Sequence, residues 1–196
     1  MLKDFINEGY IEGEAFTGDC EGLCFINAFF EHCVFSSCSL SLFNADGAVF
    51  RNCSFSDSDL SNSCFSSANL TSCSFTDCKA LGASFQAARF KDTFMQNTIL
   101  TYSDFSLASF KDTRFSSCDI SESTLTDMKH AKLSFKSCNL SRSAFNGTLL
   151  RGADLEDCDI AGIFVSESFK ELKGVKLDVY QAAEVAKLLG IDVCII

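Results

Sequence analysis

Twelve cysteines and two histidines are the residues of this 196-residue chain best equipped for chemistry. Three uses suit such a set: a disulfide framework, a zinc site or an activated thiol. Cysteine makes up about 6% of the chain, below the ~8–10% of short secreted disulfide scaffolds. Cys33, Cys53 and Cys73 recur by twenties, and Cys38, Cys78, Cys118, Cys138 and Cys158 by multiples of twenty. The short spacing of Cys20 and Cys24 follows from the same repetition, and neither His32 nor His130 lies at ligand spacing from them. A repeated small residue is an inward filler, and free cysteine is among the most buried residue types. The expectation is therefore no metal and no cofactor. Serine abounds without a diagnostic nucleophile motif, and no phosphate-cradling glycine loop appears. No catalytic residue and no small-molecule substrate are expected.

What positions these cysteines is a five-residue repeat. Reading every fifth residue from 20 gives an almost unbroken apolar series, including Phe25, Phe30, Phe35, Leu40, Phe50, Phe55, Leu60 and Phe65, that runs on to Leu155 and Ile160. Two places before each centre the residue is small, as at Ala28, Cys33, Cys38, Ala48 and Cys53. A period of five is neither 3.6 nor 2, so ordinary helices and strands are excluded over this span. A second period lies above it. Leu40, Leu60, Leu100, Ile120, Leu140 and Ile160 form one column, and Phe35, Phe55, Phe75, Phe115 and Phe135 another. Four pentapeptides therefore close one square coil. Coils stacked at strand spacing, ~4.8 Å, give a rod on the order of 35 Å long. The small and large positions are inverted at Phe43 and Ala45, and again at Met128 and His130. A local bulge or kink is expected at each.

The net charge of −10 disfavours nucleic acid and anionic membranes as partners. No apolar run reaches the ~18 residues of a membrane span. The N-terminus lacks a secretory layout, so a cytoplasmic location is expected. Charge is uneven around the coil. One edge holds Asp19, Asp57, Asp59, Asp77, Asp119, Asp157 and Asp159, seven acids in sixteen positions. The opposite side carries Arg51, Arg89, Lys91, Lys111, Lys129 and Arg151. Asp or Asn directly before a centre belongs to the repeat itself. Asp57, Asp77 and Asp157 lie outside that pattern and argue for selection on charge, which marks this edge as a partner-binding surface.

Both ends of the rod need covers, because an open coil leaves a row of unpaired backbone groups. Residues 1–14 read as an N-terminal cap, 15–165 as the repeat, and 166–196 as a C-terminal helix and apolar tail. Leu2, Phe5, Ile6 and Tyr10 are expected to cover the first coil with its outward Ile26, Phe29 and Val34. Asp178 with Gln181 reads as a capping box, opening a helix that stops at Gly190. The tail that follows is too apolar to be left in water. Val185, Leu188, Leu189, Ile191, Val193, Ile195 and Ile196 are accordingly expected to form a homodimer interface.

Ser-Asp-Leu (58–60), Ala-Asn-Leu (68–70), Ser-Asp-Phe (103–105) and Ala-Asp-Leu (153–155) resemble the motif of the pentapeptide-repeat family. That resemblance implies an all-β solenoid, a right-handed quadrilateral β-helix, with a C-terminal α-helix here. The frequent Cys and Phe, the Gly-Val-Lys-Leu (174–177) closing segment, the short helix and the apolar tail resemble the topoisomerase-protecting subgroup. Qnr quinolone-resistance proteins and the albicidin and microcin immunity proteins belong to that subgroup. The resemblance implies a non-catalytic dimer whose acidic rod mimics DNA and binds DNA gyrase or topoisomerase IV, relieving poisoning by a drug or toxin. The unbroken register leaves no room for the loops that some members project. A structural or regulatory scaffold with another partner is the alternative reading.

Overall fold

Two side chains in every five turn inward, and the backbone between them climbs one rung per twenty residues. The computed structural model describes residues 2–5 and 9–194. A first ladder joins β1 (Tyr10–Glu12), β3 (Phe29–Glu31), β5 (Val49–Arg51), β7 (Asn69–Thr71) and β9 (Arg89–Lys91) to β11 (Ser109–Ser116) and β12 (Lys129–Lys136). A second, on the adjoining face, joins β2 (Ala15–Asp19), β4 (Val34–Ser39), β6 (Ser54–Ser56), β8 (Ser74–Thr76) and β10 (Phe94–Gln96) to the same two long strands. β11 and β12 each turn one corner and so serve both faces. The remaining two faces are held by single parallel bridges. One column runs from Asp19 through Ser39, Asp59, Lys79, Ile99, Asp119 and Asn139 to Asp159. The other runs from Cys24 through Asn44, Cys64, Ser84, Asp104, Thr124 and Ala144 to Phe164. All pairing is parallel, as the twenty-residue columns require.

Phenylalanine fills the interior by stacking on its own kind. Phe55 lies 4.6 Å from Phe35 and 4.6 Å from Phe75, with its ring 6° and 1° from theirs. Phe30 on Phe50 and Phe90 on Phe110 repeat this at 4.8 Å. The ring spacing matches the ~4.8 Å strand spacing, so backbone pairing and aromatic stacking reinforce each other. The eight inward cysteines are buried and unpaired. Their thiols donate to backbone carbonyls, as from Cys33 to Glu31 and Cys38 to Phe16, except that Cys158 donates to the Asp157 carboxylate. Burial is the main force pushing Cys38 up to about 12 and Cys78 up to about 11. These two thiols stay protonated at neutral pH and act as filler rather than nucleophiles, whereas hydrogen bonds from neighbouring cysteines, Cys53 and Cys118, pull Cys73 and Cys138 the other way.

Each corner of the coil needs one residue in the left-handed region, two places after the centre. Asn52, Asp57, Asn62 and Ser67 occupy it with φ of 53°, 48°, 56° and 56°. Glycine, Asn and Asp reach this region most readily, whereas a bulky side chain there costs about 1–2 kcal/mol. Corner side chains also lean onto the coil above. A methyl group added to Gly47 or Gly147 (φ 65° and 77°) would overlap Asn27 or Asp127 from the coil below.

Neither expected kink forms. Phe43 and Ala45 are both fully buried, and Asn44 bridges Cys24 and Cys64 without a shift in register. Both positions point inward, so exchanging large and small conserves the volume of the coil. At the second inversion Phe110 pairs with His130 in regular register. The irregularity lies on the other side of the strand. No backbone hydrogen bond joins 129–136 to 149–156 among the described residues. Instead His130 Nε2 lies 2.7 Å from the Leu149 carbonyl, and Thr148 Oγ1 accepts from the Met128 N–H at 2.9 Å.

The next level is closed by the C-terminal segment. Leu150 N–H donates to the Glu171 carbonyl (2.8 Å), Gly152 N–H to Gly174 (2.9 Å), and Asp154 bridges Lys176. Helix α1 (Val179–Leu188) starts on the expected capping box: Asp178 accepts from the Gln181 N–H at 2.8 Å, and Gln181 Oε1 accepts from the Asp178 N–H at 2.9 Å. The buried Gln181 amide also donates to the Leu155 and Cys158 carbonyls, satisfying the edge of the last coil. Val185 is half-buried and packs on the core from this helix. At the other end the ladder begins at Tyr10, earlier than the expected boundary at residue 15. Leu2 is buried and Phe5 meets Phe16 edge-on at 5.7 Å. Tyr10 lies in β1 against Phe29, at 5.4 Å, so it extends the ladder and does not cap it. Ile26 and Val34 stay exposed, contrary to the expected cover. Ile6 falls outside the described residues.

Glu171 ties this cap to the rod. Its carboxylate is fully buried and accepts from the Gly147 N–H (2.9 Å) and from Ser166 Oγ (2.8 Å). Burial opposes its ionisation, but these hydrogen bonds prevail and hold the carboxyl below its ordinary value. A depressed pKa adds stability above the unfolded value, near ~4.3, that is lost as pH falls through the folded value. Hydrogen exchange of the amides in 171–189 is expected to accelerate below about pH 4.3 before that of the central rungs. In Glu171→Gln this acid step shrinks. An identical step in both proteins would assign it to other groups.

Candidate functional site

The seven acids fall on two neighbouring columns. Asp19, Asp59, Asp119 and Asp159 lie in one bridged column, interrupted by Ser39, Lys79, Ile99 and Asn139. Asp57, Asp77 and Asp157 stand two places after the centres of the preceding face. The structure brings Asp57, Asp59 and Asp77 into one recess of about 430 Å³, shared with Lys79, Asn97 and Ile99. Lys79 Nζ lies 3.5 Å from Asp59, so this stretch is partly neutralised from within. Asp157 sits in a different recess, with Asp154, Glu156 and Lys136. The edge is therefore two acidic stretches, with Lys79 and Ile99 between them.

Local folding accounts for much of the acid content. Asp19, Asp59, Asp119 and Asp159 each accept the N–H two residues on, at 2.9–3.1 Å, closing an Asx turn. Asp57 and Asp77 occupy left-handed corners, and Asp77 also accepts from Asn97 Nδ2 at 3.0 Å. Selection on charge at Asp57 and Asp77 therefore does not follow from their position outside the motif. Asp57 and Asp77 lie outside the five-residue motif but inside a second structural preference that sequence reasoning missed. The signal was present in the Gly, Asn, Ser and Asp that recur two places after each centre. Asp157 is not at a left-handed corner, and its carboxylate takes a hydrogen bond from Ser137 Oγ at 3.2 Å. Asn meets the same backbone demand at positions 44, 97 and 139, so only the choice of Asp over Asn is left to carry charge.

The opposite face is basic and only partly compensated. Arg51 pairs with Glu31 at 3.3 Å and lies 5.2 Å from the Phe29 ring centre. Lys91 pairs with Asp92 at 4.0 Å, and Arg89 meets Asn69 at 3.5 Å. Lys111, Lys129 and Arg151 have no ion pair among the described residues. At the C-terminal end α1 leaves Val179, Tyr180, Leu188 and Leu189 exposed, with Ile191 and Val193 beyond it. Of the expected dimer contacts, Leu188, Leu189, Ile191 and Val193 are thus free to meet a partner. Ile195 and Ile196 lie outside the described residues.

His32 is less isolated than its spacing suggested. It stands with Glu12 and Glu31 in a group whose ligand atoms lie within 4.8 Å of one another. Protein donors already occupy this group. Tyr10 Oη reaches Glu12 and Glu31 at 2.9 and 3.0 Å, Arg51 holds Glu31, and Asn52 Nδ2 lies 3.2 Å from His32 Nε2. Neither histidine hydrogen-bonds a hydroxyl or thiol among the described residues. No helix among the described residues is long and apolar enough to cross a membrane.

A parallel solenoid with four-pentapeptide coils is the class these features define. The sequence pattern described as a pentapeptide repeat region matches residues 48–125 and 99–178, and the chain belongs to that family. No curated protein sequence matches it. Among solved structures it is similar to QnrB1, described as a plasmid-mediated fluoroquinolone resistance protein, at 21% identity. That match covers 93% of this chain and 100% of QnrB1, with a TM-score of 0.45. It is also similar to HetL of the cyanobacterium Nostoc sp. PCC 7120, described as involved in heterocyst differentiation regulation. HetL is 15% identical, with 89% and 92% coverage and a TM-score of 0.29. A third similar structure is Rfr23 of the cyanobacterium Cyanothece 51142, at 14% identity, 56% and 64% coverage and a TM-score of 0.27.

Proposed function

We propose that this protein is a non-catalytic binder of type II topoisomerase, DNA gyrase or topoisomerase IV, and protects that enzyme from quinolone-like drugs or toxins. The observation that carries the reading is the gathering of Asp19, Asp57, Asp59, Asp77, Asp119, Asp157 and Asp159 on two neighbouring columns at one edge of the rod. Seven carboxylates are spread over eight rungs of ~4.8 Å, paired at Asp57 with Asp59 and at Asp157 with Asp159 and missing from the rungs of Ser39, Ile99 and Asn139, against one phosphate per ~3.4 Å along a single DNA strand. Only in average charge spacing does the edge resemble one DNA backbone, and the basic face opposite confines the mimicry to that side. A basic groove built for duplex DNA would be steered onto it. The sequence resemblance to the topoisomerase-protecting subgroup supports the same partner.

Gyrase supercoiling with purified protein tests the reading. The protein is expected to inhibit supercoiling or to reduce the cleavage complexes that a fluoroquinolone accumulates. Enzyme that responds identically with and without the protein would refute the proposal.

Dimerisation through the C-terminal end belongs to the same proposal. The exposed Leu188, Leu189, Ile191 and Val193 form an apolar end that a twofold mate would cover. Leu188→Asp with Leu189→Asp is expected to give monomers by light scattering while the rod stays folded. A dimer mass in that variant would remove this interface from the account.

A further inference from the structure

We infer that Ile99, Tyr102 and Leu107 form an apolar ridge that anchors the partner protein, with the acidic edge as its rim. The inference rests on the topoisomerase reading and names the contact that fixes register along the rod.

The three side chains belong to one coil. Ile99 stands in the acid column between Lys79 and Asp119 and is 45% exposed. Tyr102 and Leu107 occupy the next two corners, 58% and 59% exposed. Both are held in the left-handed region, with φ of 62° and 61°, where a tyrosine or leucine is an outlier. The backbone there does its ordinary work, Tyr102 N–H donating to Ser121 and Leu107 N–H to Thr126. The side chains do nothing comparable: the Tyr102 hydroxyl has no hydrogen-bond partner among the described residues. Gly82 fills the same corner one rung below Tyr102, and the two rungs above carry Glu122 and Arg142, which are also left-handed but pair with each other. Strain carried by apolar side chains this exposed points to function. Leu42 shares the strain but stands three rungs away, with Asn62 and Gly82 between.

The surroundings state the partner's chemistry. Asp59 and Asp77 lie below the ridge, Asp119 above it, and Asp104 between its two corners. An aromatic anchor inside a polar rim is the usual anatomy of an interface hot spot. The partner is a protein surface with an apolar recess bordered by Lys or Arg. Nucleic acid fails on the same charges, since phosphates would meet carboxylates.

The test uses the full chain carrying Tyr102→Gly with Leu107→Gly, the residue the corners prefer. The double variant is expected to melt at or above the wild-type temperature while its affinity for gyrase, by calorimetry, falls at least tenfold. A melting temperature lowered by several degrees would mean the side chains pack for stability, and the ridge is then overturned. Unchanged affinity in a wild type that binds overturns the ridge alone. A wild type that does not bind gyrase overturns both the topoisomerase reading and the ridge.

Discussion

Changing all seven edge acids to Asn is expected to leave the rod folded and to weaken the proposed topoisomerase binding by a few hundredfold. The fold survives because each requirement on these residues is met by an amide. Asn accepts the Asx-turn N–H at 59, 119 and 159 as it already does at 139. It tolerates the left-handed corner at 57 and 77 as it already does at 97. What disappears is charge alone. An exposed ion pair contributes about 0.5 kcal/mol, and seven together amount to a few hundredfold in Kd. Circular dichroism and thermal melting check the fold, and calorimetry with gyrase checks the affinity. Retained affinity in the folded variant removes the acidic edge from the interface. A variant that unfolds would show that the carboxylates, not the Asx geometry, hold the corners.

Phe55→Ala is expected to destabilise the rod by about 4 kcal/mol, within the ~3–5 kcal/mol typical of buried Phe→Ala. Phe55 stacks on Phe35 and Phe75 and meets Phe50 and Phe65 at 5.7 and 6.1 Å, so its loss opens contacts on both adjoining coils. In a solenoid each coil touches only its neighbours, and a cavity cannot be relieved by movement elsewhere. Phe94 is the control. It lies in β10 but faces outward and is only partly buried, and Phe94→Ala is expected to cost about 1 kcal/mol. Urea denaturation compares the two. Equal losses would mean that the inward columns are not the source of stability.

The inward columns were legible because period five and period twenty coincide, and nothing but a square coil puts Phe35, Phe55 and Phe75 in line. The capping box at Asp178 and Gln181 was legible for the same reason, as a local rule with a fixed spacing. Corner strain was not. The residue types that relieve a positive φ include Asp, so Asp57 and Asp77 read as charge alone until their backbone was known. The Phe43 and Ala45 inversion looked disruptive because the two inward positions had been assigned different sizes, when only their sum matters. Tyr10 looked like cap material because β1 precedes the first full repeat. Nothing in one residue type announces that rungs stop between 129–136 and 149–156, since His130 and Leu149 meet only after both coils are in place.

The claim that the rod presents one strand-like acidic edge to a DNA-binding protein is tested most directly by salt. The dissociation constant of the full-length protein for DNA gyrase, measured by calorimetry from low to physiological ionic strength, should rise steeply with salt. Linear duplex DNA should displace the protein in the same cell. Binding that ignores salt and coexists with DNA, or no binding at any ionic strength, would contradict the account.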